Sequence, residues 1–298
     1  MSLKDLIDDP AEVLARWPRE PLRFHRDPAD FHHLLTLGEV DELVDEECLA
    51  MRNVVLLKDS EIWEKHTYAD GDMPRRGAVR EHLDGGGSIS LRSLEQLKPS
   101  IARLHRDLVA ETGYRTHVNA YLTPAGAQGL KYHYDPYVTL IVQIAGRKTW
   151  PVHRPFVENP VQEYESFHLV GFTPEQKHHL ANTPPVEEFT LEPGDVLWLP
   201  RGWPHSPYAV GDEPSLHLTV AFKERTHHWL AEQICEDLLG RALVDPQMRE
   251  ELAPDVVTGD LRPAVRLMSE YLIGSLLQML DDNEKVAAYA REAALRLG

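Results

Sequence analysis

Cysteine is nearly missing: the 298 residues hold only Cys48 and Cys235, too few for a disulfide scaffold, and that usage fits a reducing cytoplasm. No apolar run approaches the ~20 residues that cross a bilayer. Met1-Ser2-Leu3-Lys4-Asp5 lacks the apolar stretch of a signal peptide, so no membrane partner is expected. Internal repeats and low-complexity tracts are absent as well. Positive charge is scarce, 31 Lys and Arg against 48 Asp and Glu, which leaves a formal −17. A field of that sign repels phosphate backbones, and the densest basic cluster, Arg75-Arg76 with Arg80, is small. Direct nucleic-acid binding is therefore not expected. Such acidity serves solubility in most proteins, and its other use is to attract a basic peptide or protein.

What is present reads as globular, with 42% hydrophobic and 27% charged residues. The length suits one large domain with an appendage or two modest ones. The first 45 residues read as short helices broken by proline: Asp9-Pro10 opens one that Pro18 stops, and Asp27-Pro28 opens the next. Val54–Leu57 is strand-like, whereas the polar, glycine-rich stretch from Tyr68 to Gly87 reads as loop. Leu97, Ile101, Leu104 and Leu108 form a helical stripe that Pro99 would start.

From Thr116 to Phe222 the period changes to two. His117–Thr123 alternates polar with apolar; Tyr137–Gln143 and Arg147–Val152 suggest a hairpin turning at Ala145-Gly146. Phe189–Leu191, Asp195–Leu199 and Leu216–Phe222 add strands, so a β-sandwich or barrel is expected, with Arg154–Pro185 as a long insertion. Trp229–Leu243, Leu261–Leu280 and Asn283–Leu297 return to helical spacing. The middle one is apolar nearly all round and must be covered, either by the β domain or by a second copy of the chain.

The chemistry gathers in two short stretches. In Lys131-Tyr132-His133-Tyr134-Asp135 a strand would turn His133 and Asp135 to one face, where imidazole and carboxylate can grip one ion. Among sixteen histidines that pair is weak alone. A second stretch lifts it: Gly194-x5-Pro200-x-Gly202-x2-His205 resembles the second characteristic motif of cupin-type double-stranded β-helices, whose terminal histidine is the distal metal ligand. Two histidines and one carboxylate make a facial triad, the arrangement of non-haem Fe(II) oxygenases. Asn119, Tyr121 and Thr123 share one strand face, as do His217 and Thr219 on another, and both faces suit a polar-lined cavity. Lys148 shares its face with Trp150 and Val152, so it needs an anionic partner such as the free end of a dicarboxylate.

These stretches resemble the JmjC-domain, 2-oxoglutarate-dependent oxygenases, most nearly the ribosomal-oxygenase branch. The likeness runs from Trp17-Pro18-Arg19-Glu20-Pro21-Leu22 through Gly87–Leu91, Val118–Pro124, the His133-x-Asp135 element and Gly146–Trp150 to Ser215–Thr219. It implies a mainly β, α+β fold: a double-stranded β-helix (jelly-roll) core with flanking helices. It also implies a helical segment over 1–45, a catalytic domain over 46–225 and a helical, dimerisation-like region over 226–298. A winged-helix domain that the branch carries next is not expected in the 73 residues after Arg225.

By position, the resemblance makes His133, Asp135 and His205 the Fe(II) ligands and Lys148 the basic partner of the 2-oxoglutarate C5 carboxylate. Asn119 and Tyr121 become further co-substrate contacts, and His217 a polar group beside the metal. The expected reaction uses Fe(II), 2-oxoglutarate and O2 to hydroxylate an amino-acid side chain in a protein or peptide, releasing succinate and CO2. A basic, ribosomal-protein-like substrate fits the acidic chain, and the C-terminal helices suggest a homodimer. A small natural product, free amino acid or modified peptide is the alternative substrate. A metal-binding cupin that senses without turnover is the rival from another class, and N-methyl-lysine demethylation ranks below hydroxylation.

Overall fold

Capping chemistry starts the chain as its sequence suggests. Asp9 accepts a hydrogen bond from the Glu12 N–H, Pro10 takes the first position of α1 (Pro10–Arg16), and Asp27 caps a short 3-10 turn at Pro28–Phe31. The computed structural model describes residues 1–58 and 61–280, so the helix expected over Asn283–Leu297 lies outside the described residues. The chain divides into two compact units, Met1–Glu224 and Arg225–Gly298.

The N-terminal segment is not helical throughout. Leu22–His25 is a strand, β1, followed by α2 (Leu37–Asp45). The strands that follow are β2 (Val54–Lys58), β3 (Glu61–Ile62), β4 (Ala69–Asp70), β5 (Met73–Pro74), β6 (Ser88–Leu91), β7 (Arg115–Thr123) and β8 (Val138–Ala145). After them come β9 (Arg147–Val152), β10 (Glu187–Leu191), β11 (Asp195–Leu199), β12 (Tyr208–Val210) and β13 (Ser215–Lys223). Eight form one sheet in the order β1-β11-β8-β13-β7-β6-β2-β3, and three form a second in the order β10-β9-β12. All their pairings are antiparallel. This is the jelly-roll core, mainly β with flanking helices.

Two expectations about the first unit are corrected. The stretch from Tyr68 to Gly87 is not loop: it holds the β4–β5 hairpin and α3 (Ala78–Asp84), which buries Ala78, Val79, His82 and Leu83. Its glycines are the punctuation of that helix, Gly77 before it and Gly85 after it. Nor do β8 and β9 form a hairpin. β8 pairs with β11 and β13, whereas β9 pairs with β10 and β12, so the chain crosses from one sheet to the other at Gly146. That residue has φ +60°, and a Cβ on it would stand 2.2 Å from the Pro214 carbonyl oxygen.

Strand parity explains the layers. Val118, Ala120 and Leu122 of β7, Leu218 and Val220 of β13, and Leu140 and Val142 of β8 face one side. They bury there with Ile101, Leu104 and Leu108 of α4 (Pro99–Thr112), which Pro99 starts. The opposite face packs on the second sheet through Ile141, Leu197 and Leu199 against Trp150, Val152 and Leu191. The polar residues of β7 and β13 are thus directed between the sheets. The insertion carries α5 (Phe167–Val170) and α6 (Pro174–Asn182), held by Phe172 and Leu180 against Tyr134.

The second unit contains α7 (His227–Val244), α8 (Pro254–Thr258) and α9 (Arg262–Leu280). Within the single chain Val265, Leu267, Ile273 and Leu277 of α9 are exposed.

Candidate metal centre and its cavity

Lys131–Asp135 is not a strand. His133 forms a single antiparallel bridge with His205, which precedes β12 rather than opening it. The two backbones exchange hydrogen bonds, and the imidazole centroids stand 4.3 Å apart. Each ring is fixed the same way. Nδ1 of His133 lies 2.9 Å from the Lys131 carbonyl oxygen, and Nδ1 of His205 lies 2.9 Å from that of Trp203. A carbonyl only accepts, so Nδ1 carries the proton in both rings and the Nε2 lone pairs are left for a cation. Burial, reinforced by His133, holds His205 well below the ordinary histidine range, which keeps it neutral.

Asp135 adjoins this pair, its Oδ2 4.0 Å from His205 Nε2. The Gly202 N–H donates to the Asp135 carbonyl at 2.8 Å, which ties the glycine corner after β11 to the first motif. Burial lifts the Asp135 carboxyl above its usual range, against the pull of His133 and His168. Among the described residues no group of three His, Cys, Asp or Glu side chains is gathered closely enough to hold a metal as it stands. Two neighbouring ligands with bonds of about 2.1 Å stand about 3 Å apart, so the 4.0 Å spacing falls about 1 Å short of closure. The donor set nonetheless fits a divalent cation: two imidazoles whose Nδ1 atoms face backbone carbonyls and whose Nε2 atoms are left to a ligand, with the Asp135 carboxyl group beside them.

A cavity of about 550 Å³, counting its open mouth, joins these three to Lys148, Tyr121 and His217. Lys148, on the central strand of the smaller sheet, is 3% exposed, and its Nζ donates to Thr123 Oγ1 at 2.8 Å. Burial without a carboxylate partner pushes its ammonium down to about 7. Tyr121 and His217 stack 5.1 Å apart at 9°, and burial, then Lys148, keeps His217 well below its usual range. Trp150 packs against both His205 and His217. Two buried atoms at this place, His217 Nδ1 and Trp150 Nε1, have no hydrogen-bond partner, as expected of a site shaped for a polar ligand.

Asn119 stands apart from the residues that line the cavity. Its Oδ1 accepts from the N–H of Ser93, a residue at φ +57°. Sequence reasoning gave no site role to Ser88, Thr139 or Ile141, which line the cavity together with Thr123. Parity along β7 placed Thr123 on the face of Tyr121; nothing local marked Ser88. From the insertion, the Phe167 ring of α5 lies 6.2 Å from that of His133, and Tyr134 donates to the Glu165 carbonyl at 2.8 Å.

Residues 93–230 match the family model of the JmjC domain. Ribosomal oxygenase 1 of Danio rerio is 27% identical over 222 residues, which cover 74% of this chain and 39% of that protein. The bifunctional lysine-specific demethylase and histidyl-hydroxylase NO66 of Dictyostelium discoideum is 34% identical over 143 residues, 48% of this chain and 26% of the relative. The chain thus spans less than half the length of these relatives. Among solved structures, YcfD, a ribosomal oxygenase from Escherichia coli in complex with cobalt and 2-oxoglutarate, superposes with a TM-score of 0.56 at 19% identity, covering 97% of this chain and 72% of that one. At that identity the likeness speaks for the fold.

Proposed function

We propose that this chain, a JmjC-domain protein of the ribosomal-oxygenase branch, is an Fe(II)- and 2-oxoglutarate-dependent oxygenase that hydroxylates an amino-acid side chain in a protein or peptide. One observation carries the reading: two imidazoles with Nδ1 capped by backbone carbonyls share a cavity with Asp135 and with a buried ammonium that has no carboxylate partner. A metal site and an anion site in one cavity are what a metal-chelated dicarboxylate needs.

His133, His205 and Asp135 would hold Fe(II), the histidines through Nε2. When bound, the iron, O2 and 2-oxoglutarate supply the oxidation of an unactivated C–H bond, with succinate and CO2 as by-products. The protein's own residues bind, orient and exclude. Lys148 neutralises the distal carboxylate of the co-substrate. Tyr121 and His217, stacked on each other, wall its chain, and Trp150 shields His205 from water. No side chain need act as a nucleophile.

A protein substrate is supported by the names of the relatives, ribosomal oxygenases and a histidyl-hydroxylase. The charge of −17 favours a basic one. Two exposed free cysteines suit a reducing cytoplasm. Among the described residues no helix is long and apolar enough to cross a membrane. The exposed apolar positions of α9 fit pairing with a second copy of the chain.

The test is incubation with Fe(II), ascorbate and 2-oxoglutarate, with and without a basic ribosomal-protein extract. Succinate release with a one-oxygen mass gain on a protein supports the reading. Turnover confined to small molecules moves the substrate to the natural-product class. No metal uptake and no turnover leaves a cupin without this chemistry.

A further inference from the structure

The segment that carries two of the three candidate ligands alternates in kind: Tyr132, His133, Tyr134, Asp135. His133 and Asp135 line the cavity. The tyrosines turn the other way, into a separate aromatic cluster where Tyr134, Phe172 and Leu180 are buried and Tyr132, Phe156 and Phe167 pack on them. Phe156, Phe167, Phe172 and Leu180 all belong to the insertion between β9 and β10. Tyr134 is the centre of this cluster. Its ring lies 5.7 Å from that of Phe167 and 5.6 Å from that of Phe172, and its hydroxyl donates to the Glu165 carbonyl at 2.8 Å. Glu165 stands at φ +55°, a left-handed state that is costly for a residue with a Cβ, and the bond to Tyr134 helps to hold it there. Tyr132 makes a second tie: its Oη is 3.1 Å from His153 Nε2, and the His153 ring faces that of His179 in α6. Main-chain bonds to His205 and Gly202 hold the segment on its cavity side. The insertion packs on the other.

Resting on the reading of His133, Asp135 and His205 as metal ligands, we propose that Tyr134 is a positioning residue that fastens both flanking ligands to the insertion, so that packing of the insertion and binding of the metal are coupled. Side chains of adjacent residues in extended backbone point to opposite sides, so a side chain locked on one side fixes the direction of its neighbours on the other. Groups that orient ligands without touching the metal contribute to its affinity. Such coupling is reciprocal: if packing of the insertion tightens the metal by some factor, bound metal stabilises that packing by the same factor. A tyrosine that only filled a core would lower global stability without this exchange.

The test pairs calorimetric Co(II) titration of the full chain with hydrogen exchange at the α6 amides, measured with and without Co(II), and circular dichroism as a folding check. In the wild type, saturating Co(II) should slow α6 exchange roughly ten- to hundredfold, the scale of residues that orient metal ligands, although α6 supplies none of the three ligands. Tyr134→Ala should weaken Co(II) by a similar factor and remove most of that slowing. Tyr134→Phe, which keeps the ring and loses the bond to Glu165, should cost only roughly two- to tenfold. Leu180→Ala alters no residue of the ligand segment and should still weaken Co(II) several-fold; with Tyr134→Phe it decides the matter if Tyr134→Ala does not fold. Unaltered Co(II) affinity in Tyr134→Ala, or in both other variants when they must decide, overturns the coupling while the metal assignment stands. So does α6 exchange that ignores the metal. A wild type that takes up no Co(II) overturns both.

Discussion

His133 and His205 hold each other by reciprocal backbone hydrogen bonds, 3.1 Å from the His133 N–H to the His205 carbonyl and 2.8 Å in return. The pair is therefore set by main-chain geometry, and each ring then receives its tautomer from a nearby carbonyl. Side-chain substitution at either position removes a donor without removing the bridge.

His133→Ala and His205→Ala should accordingly lower Co(II) or Mn(II) affinity by at least about a hundredfold, more than loss of a supporting contact usually costs. Far-ultraviolet circular dichroism should stay unchanged. Calorimetric metal titration checks this, and undiminished affinity in either variant would remove that histidine from the metal assignment.

Burial of the Lys148 ammonium costs stability, and on the proposed reading a bound carboxylate would offset that cost. In the unfolded chain its ammonium titrates near 10.4, but burial in the fold pulls it to about 7. Between those values the unfolded chain binds more protons, so stability rises with pH from about 7 to about 10, and below that window the buried charge costs up to about 5 kcal/mol. Lys148→Met should raise the ligand-free stability at pH 7 by about 1–4 kcal/mol and weaken 2-oxoglutarate strongly. Urea unfolding and ligand titration read the two effects. A destabilised variant with normal binding contradicts both.

His117 sets an acid-side slope. Burial first, then Lys223, Arg92, Arg115 and His105, push it down to about 4 from an ordinary histidine value, and its ring packs against Tyr137. Between about pH 6.5 and 4 the unfolded chain takes up the proton that the fold refuses, so stability falls as pH falls, by about 3 kcal/mol over the window. His117→Phe should flatten that part of the urea-stability profile. An unchanged slope would assign the acid sensitivity to other groups.

Gly146→Ala is expected to destabilise by at least about 2 kcal/mol, since left-handed backbone and a clash with main chain act together. The Cβ would meet the Pro214 carbonyl oxygen at 2.2 Å, an atom that cannot swing aside as a side chain would. The thermal midpoint reads the loss, and a shift under 1 °C would contradict it.

If the exposed face of α9 pairs with its own copy, Leu267→Glu with Ile273→Glu should convert a dimer into a monomer. Both side chains stand more than half exposed, at 63% and 58%. Light scattering after size exclusion settles it, and a monomeric wild type ends the proposal.

The site residues were legible in proportion to how local their signal is. His133-x-Asp135 and the glycine/proline run ending at His205 are contiguous motifs, and the polar parity of Asn119, Tyr121 and Thr123 belongs to one strand. Ser88 carries no such mark; it enters the cavity only because β6 pairs beside β7. Strand periodicity identified β8 and β9 but could not say that the turn between them changes sheets. Likewise Tyr68–Gly87 looked like loop because its glycines flank a seven-residue helix too short to show a clear apolar stripe.

The sequence by itself determined the residue types of the cavity, the period of its strands and the acidity of the whole, because each is written in neighbouring residues. Tertiary structure alone decided that Asn119 turns to Ser93 while Thr123 meets Lys148 and Ser88. Those partnerships join residues 25 to 35 positions apart, and strand pairing across the sheet, not the local pattern, fixes which side chains share a hydrogen bond.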